Sequence, residues 1–232
     1  MYQIRYHGLS FMSIFELDKI YNLEDLVKQD IVVVMRNLYR RNLISALSGN
    51  LSVRLPGTNY LWITPSGLHK AVLKVDDLVK IDLDGNIVEG HHKPSSEWRF
   101  HVAIYKTRSD IYAIAHTHNP AVQILDLLDI KLDPSILIES KYYIKGIAYV
   151  PEAEPGSIEL AKHVAEAVAP GVNAVILRRH GVVAIGRNIY EAETVAEALE
   201  DLALIQLYTI TMKTLLDISN KIIKTSNINQ YR

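Results

Sequence analysis

The 232-residue chain contains no cysteine. That excludes a disulfide framework, a thiolate metal site and a cysteine nucleophile, so any metal must be held by His, Asp, Glu or water. No apolar run approaches the roughly 18 residues that span a bilayer. No long apolar core follows a basic start, so no secretory signal is read. Neither sign of charge is in excess: 25 Lys and Arg against 26 Asp and Glu give a formal net charge of −1. That balance argues against nucleic acid or an anionic membrane as the main partner. Internal repeats and linker-like low-complexity stretches are missing too. The chain is 49% hydrophobic and 22% charged, which fits one globular domain with a sizeable core. A soluble cytoplasmic protein is expected. The many Ile, Tyr, Lys and Glu residues, with no Cys, point weakly to a thermophilic source.

The organising stretch is Ile111-Tyr-Ala-Ile-Ala-His116-Thr-His118-Asn-Pro120. It is short and apolar and ends at proline, which suits a buried strand running into a loop. Side chains two apart on a strand share a face, so His116 and His118 project in parallel, close enough to bind one metal ion. The pair alone leaves two readings open: ligands, or two surface histidines at a strand end. A catalytic zinc usually has three protein ligands and an open position, so a third ligand and an acid or base are sought elsewhere.

The rest of the chain alternates helix and strand signals. Residues 1–22 carry no clear pattern and are read as an N-terminal extension. A helical pattern covers Leu23 to Asn42, with Leu26, Val27, Val33, Val34 and Leu38 on one side. Leu51–Leu55 and Tyr60–Ile63 read as strands around the Pro56-Gly57-Thr-Asn59 turn, and Asp84-Gly85-Asn86 is the clearest hairpin signal. Ser95 or Ser96 is a good N-cap for a helix to about Lys106, with Glu97 in its first turn. Residues 120–129 look helical and Ile144–Val150 strand-like. Pro155-Gly156-Ser157 opens a helix to about Val168, and the strands Ala174–Leu177 and Val182–Ile185 flank Arg178-Arg179-His180-Gly181. A long helix from Ile189 to about Leu216 precedes a short polar tail. One α/β domain over residues 23–217, with mostly antiparallel strands and a tail at 218–232, is the simplest architecture.

Taken in order, five short signatures carry a resemblance: Ser48-Gly-Asn50, Thr64-Pro-Ser-Gly67, Lys93-Pro-Ser-Ser-Glu97-Trp-Arg-Phe-His101, His116-x-His118 and His180-Gly181-Val182. Together they resemble the class II aldolase/adducin family over roughly residues 25–215. The resemblance implies a three-layer fold around a mostly antiparallel sheet. It also implies a fourfold-symmetric homotetramer with sites at subunit boundaries. It supplies His180 as the third ligand beside His116 and His118 for one Zn2+ per subunit, with Glu97 counted at the metal as well and serving as the catalytic carboxylate. Three neutral ligands leave the ion its full charge as a Lewis acid.

The activity implied is reversible cleavage of a ketose 1-phosphate to dihydroxyacetone phosphate and a small aldehyde, with Glu97 moving the proton at the enediol carbon. The phosphate cradle implied by position is Gly49, Asn50, Ser66, Gly67, Ser95 and Ser96. All are small donors, with no Lys or Arg among them. Taken singly, each is an ordinary turn or cap residue, and Glu97 alone would simply complement its helix's positive end. Two departures concern tyrosine. The family's loop tyrosine maps near Leu137, with Tyr142 and Tyr143 offset, and the C-terminal tyrosine corresponds by a loose tail match to Tyr231, a second catalytic residue that the resemblance implies helps protonate the leaving aldehyde oxygen. His91, His92, His101 and His163 match no ligand position and are read as surface or structural residues. Arg178 and Arg179 are unexplained, since two cations beside a divalent ion should repel it.

Other readings within the family are a pentulose-phosphate 4-epimerase and a sugar-phosphate dehydratase. In the epimerases the acidic residue after the paired serines tends to be aspartate, so Glu97 favours the aldolase, whereas the dehydratase keeps glutamate. A non-catalytic adducin-like scaffold is the reading from another class. Such relatives lack the metal histidines, and all three are present here.

Overall fold

The computed structural model describes residues 23–229. The expected N-terminal extension and Tyr231 lie outside the described residues. The first helix, α1 (Leu23–Arg40), buries Val27, Ile31, Val34, Met35 and Leu38, the spacing of one helical face. It stops two residues before Asn42, which takes a φ of 58°, a left-handed conformation that asparagine tolerates.

Eight strands follow: β1 (Asn50–Arg54), β2 (Tyr60–Ile63), β3 (Val79–Asp82), β4 (Ile87–Glu89), β5 (Ala113–Thr117), β6 (Ile147–Val150), β7 (Ala174–Leu177) and β8 (Gly181–Gly186). Between them lie α2 (Trp98–Thr107), α3 (Pro120–Leu127), α4 (Ile138–Tyr143) and α5 (Ile158–Val168), with α6 (Ile189–Asn229) closing the chain. The strands form one sheet in the order β4-β3-β2-β1-β5-β8-β7-β6. Every neighbouring pair is antiparallel except β6 and β7. The sheet is therefore mixed. The exception has a simple cause: α5 connects β6 to β7, and a crossover through a helix returns the chain in the same direction.

Side-chain alternation divides the core into two layers on either face of the sheet. Leu51, Val53, Ala113, Ala115, Val182 and Ala184 pack with residues of α1, α3 and α6. Ile63, Ile81, Ile114, Val175, Val183 and Ile185 pack with residues of α2 and α5. This is the three-layer arrangement that the resemblance implies.

Several elements differ from expectation: β6 starts at Ile147 rather than Ile144, α4 was not expected, and two helix ends are displaced. The helix after Glu97 begins at Trp98, with Glu97 itself at the N-cap, so neither Ser95 nor Ser96 caps it. Ser95 instead braces the preceding turn, its Oγ accepting from the Glu97 N–H at 3.3 Å. At the other end, α6 runs past Leu216 to Asn229, where a polar tail was expected. Nothing between Asp217 and Asn229 is Gly or Pro, so propensity offers no stop signal. Beyond the core-packed part of α6, Tyr208, Met212, Leu215, Leu216 and Ile222 are exposed.

A buried cation sits beneath the turn after β2. Lys70 is 2% exposed, and its Nζ donates to the Pro65 carbonyl at 2.8 Å. Burial pushes its pKa down to about 8 from the usual 10.5. The unfolded chain therefore holds more proton between those values, and stability rises with pH across that window. Chemical denaturation is expected to show the wild type gaining on Lys70→Met by up to about 3 kcal/mol between pH 7 and pH 10.5. An unchanged difference between the two proteins would mean that the ammonium is solvated.

Candidate active site

The topology gathers distant segments at one end of the sheet. Asn50, the first residue of β1, is paired with His116 near the end of β5. Thr117, the last residue of β5, is paired with Val182 near the start of β8. The end of β7 meets that start through the Leu177–Gly181 pair. His116, His118 and the turn bearing His180 are thereby brought to one point. Gly181 is what permits the approach: a Cβ there would lie 2.4 Å from the Thr117 carbonyl and 3.1 Å from the His118 ring.

The three imidazoles converge, and their ligand atoms lie within 4.8 Å of one another. His116 is fully buried. Its Nδ1 lies 2.9 Å from the Val182 carbonyl, which accepts the Nδ1 proton and leaves Nε2 as the ring nitrogen turned inward. That Nε2 lies 3.1 Å from His118 Nε2. Burial pushes His118 down to about 3 and lowers His180 as well, so both rings are neutral with lone pairs available. The cluster could hold a metal ion: three imidazole nitrogens face a common point, and no thiolate competes.

Glu97 closes the cluster. It is 7% exposed, with Oε2 3.2 Å from His116 Nε2 and Oε1 3.4 Å from His180 Nε2. Burial alone would raise its pKa, but the adjacent His116 outweighs that and holds the carboxyl far below the usual range. His116 shifts upward because the Glu97 charge overcomes its own burial. Glu97 Oε2 accepts from Asn50 Nδ2 at 2.9 Å, while Oε1 has no hydrogen-bond partner although it is buried. Oε2 is thus anchored by Asn50 while it faces His116, and Oε1 faces His180.

The candidate cradle residues occupy adjoining turns. The Ser66 N–H donates to the Lys93 carbonyl and the Ser95 N–H to the Thr64 carbonyl, both at 3.0 Å. These bonds stitch the Ser66-Gly67 and Ser95-Ser96 segments side by side. Ser66, Gly67 and Ser96 are exposed, whereas Ser95 and Asn50 are buried. Gly49 adopts a φ of +77°, and a Cβ there would meet Ile44 at 2.4 Å, so the turn into β1 requires glycine. Asn50 stands apart from the set, because its side chain is engaged with Glu97. A cleft of about 560 Å³ opens beside His118, lined also by Tyr39, Asn42, Ser45, Ser48 and Gln123. That volume suits a small metabolite.

The two arginines now have partners. Arg178 Nε lies 2.6 Å from the buried Asp126, and its guanidinium also pairs with Asp129. Arg179 reaches Glu152 at 3.3 Å, and its backbone, at φ 56°, donates N–H to Asp126 Oδ2 at 2.8 Å. The expected repulsion is met by carboxylates, and Asp126 anchors the turn that presents His180. Tyr142 and Tyr143 lie on α4 and are both exposed. His101, which matches no ligand position, takes the structural of the two places expected for it. It is fully buried and hydrogen-bonded to Asn50. The available signal was its spacing: His101 follows Glu97 by four residues, which puts both on one helix face.

Residues 29–207 match the family model described as class II aldolase and adducin N-terminal domain. The chain is 36% identical over 186 residues to the L-fuculose phosphate aldolase of Methanocaldococcus jannaschii, covering 80% of this chain and 98% of that one. It is 35% identical to the 3-oxo-tetronate 4-phosphate decarboxylase of Haemophilus influenzae, over 78% of this chain and 87% of that one. The L-fuculose-1-phosphate aldolase structure from Thermus thermophilus superposes with a TM-score of 0.73 at 29% identity, covering 81% and 96% of the two chains. The chain belongs to the class II aldolase and adducin N-terminal domain family.

Proposed function

We propose that the protein is a zinc-dependent aldolase that reversibly cleaves a ketose 1-phosphate resembling L-fuculose 1-phosphate to dihydroxyacetone phosphate and a small aldehyde. The observation that carries this reading is the placement of Glu97, with a partnerless carboxylate oxygen, against two of three converging imidazoles. His116, His118 and His180 would hold the ion, which when bound would supply the positive charge that stabilises the oxygens turning negative as the C–C bond breaks. Glu97 Oε1 moves the proton at the carbon left electron-rich by that cleavage. Gly49, Ser66, Gly67, Ser95 and Ser96 offer N–H and O–H donors to the phosphate. Asn50 contributes there only through its backbone, because its side chain serves Glu97. The exposed apolar residues of α6 support an assembly of several copies, read as the homotetramer.

A relative named as a decarboxylase supports a second reading, because loss of CO2 beside a carbonyl leaves the same electron-rich carbon. The test is incubation of the metal-loaded protein with L-fuculose 1-phosphate, ribulose 1-phosphate, ribulose 5-phosphate and 3-oxo-tetronate 4-phosphate, followed by NMR. Dihydroxyacetone phosphate appearing from a ketose 1-phosphate is the expected result. An epimer alone from ribulose 5-phosphate, or turnover of only the keto acid, would replace this reading.

A further inference from the structure

A line of buried polar side chains crosses the otherwise apolar seam between β1 and α2. On the strand, Asn50 and Ser52 are two apart and share a face. On the helix side, Glu97, His101 and Tyr105 are four apart and share a face. The two sets interleave. Asn50 Nδ2 lies 2.9 Å from Glu97 Oε2, and Asn50 Oδ1 lies 2.5 Å from His101 Nε2. His101 Nδ1 lies 2.7 Å from Ser52 Oγ, which lies 2.8 Å from the Tyr105 hydroxyl. Asn50, Ser52 and His101 are at most 3% exposed, and Glu97 is 7% exposed.

The proton positions follow from one end. An ionised carboxylate only accepts, so the Asn50 amide nitrogen faces it and Asn50 Oδ1 is left to accept from His101. His101 must therefore carry its proton on Nε2. Burial pushes the ring down to about 3, so it is neutral and Nδ1 is bare. Ser52 then donates to Nδ1, and the Tyr105 hydroxyl beside it donates to the Ser52 carbonyl at 3.0 Å. From Ser52 through His101 and Asn50 every donor points toward Glu97, and such chains reinforce one another. Apolar residues would fill the seam without any desolvation cost, so packing alone does not call for this line.

The geometry points to His101 as a positioning residue: as the neutral Nε2–H tautomer it fixes the Asn50 amide, which holds Glu97 Oε2 beside His116 and leaves Oε1 directed at His180. The inference rests on the catalytic reading of Glu97, but the tautomer itself is measurable without turnover. Long-range 1H–15N correlation on the full, metal-loaded chain, with His101 assigned from the His101→Gln spectrum, is expected to show Nε2–H at pH 7. An Nδ1–H or doubly protonated ring would overturn the relay whatever the enzyme's substrate.

For turnover of L-fuculose 1-phosphate, His101→Leu is expected to lower kcat by about 10–100-fold, the range seen for groups that orient active-site ligands. KM and metal content should stay within about twofold, because the phosphate cradle and the three imidazoles are untouched. His101→Gln can donate to Asn50 and accept from Ser52, so it should recover most of the lost kcat. Wild-type kcat in His101→Leu, or a Gln variant as slow as the Leu variant, would overturn the positioning role. Should the Leu variant fail to fold, the tautomer and the Gln variant still decide the question.

Discussion

Glu97→Gln lowers kcat for ketose phosphate cleavage by about 10²–10⁴-fold, the usual contribution of a positioned acid–base group. The substitution preserves shape, and the amide oxygen can still accept from Asn50 as Oε2 does now. What changes is the other arm. Oε1, which lies 3.4 Å from His180 Nε2 and has no hydrogen-bond partner, becomes an NH2 group that cannot take up a proton. The carboxyl is held ionised at neutral pH, so the wild type offers a proton acceptor that the amide does not, and the loss should appear in kcat and kcat/KM alike. Metal content and assembly are expected to stay as in the wild type. Steady-state rates within about threefold of wild type would remove Glu97 from the chemistry.

His118→Ala is expected to weaken metal affinity on the order of a hundredfold or more, beyond what loss of an orienting group alone costs. His118 suits this test better than His116, because it is only partly buried, whereas His116 is sealed in the core with its Nδ1 on the Val182 carbonyl. Truncating His116 risks the fold along with the site. Atomic emission on the purified variant reads metal per chain, and exposed His91 provides a control whose alanine variant stays loaded. Full occupancy in His118→Ala would show that the three rings do not share an ion.

Much of the site was legible because local rules act within single elements. Strand alternation put His116 and His118 on one face, and that parity survives in the structure. The turn signals around Gly57 and Gly85 also lie between the strands they were expected to join. The legible features end where an outcome depends on partners far away in the chain. That Arg178 and Arg179 would meet Asp126, Asp129 and Glu152 depends on how α3 and the chain after β6 pack against the β7–β8 turn. The Asn50–His101 contact depends on β1 lying against α2. The helix start at Trp98 was misplaced because Ser95 uses its hydroxyl on Glu97 N–H rather than as a cap. The extension of α6 past Leu216 is explained by propensity, since residues 217–229 hold no Gly or Pro and polar residues there do not stop a helix.

The convergence at one end of the sheet has a thermodynamic corollary. The groups around the imidazole cluster come from the chain before β1, the end of β5, the β7–β8 turn and the start of α2, and no short fragment contains them all. An unfolded chain therefore presents scattered histidines in place of a chelating set. Any ion the cluster takes discriminates strongly for the native state and stabilises it by mass action. The melting temperature of this protein should accordingly track free metal concentration, and chelators should act on it as mild denaturants.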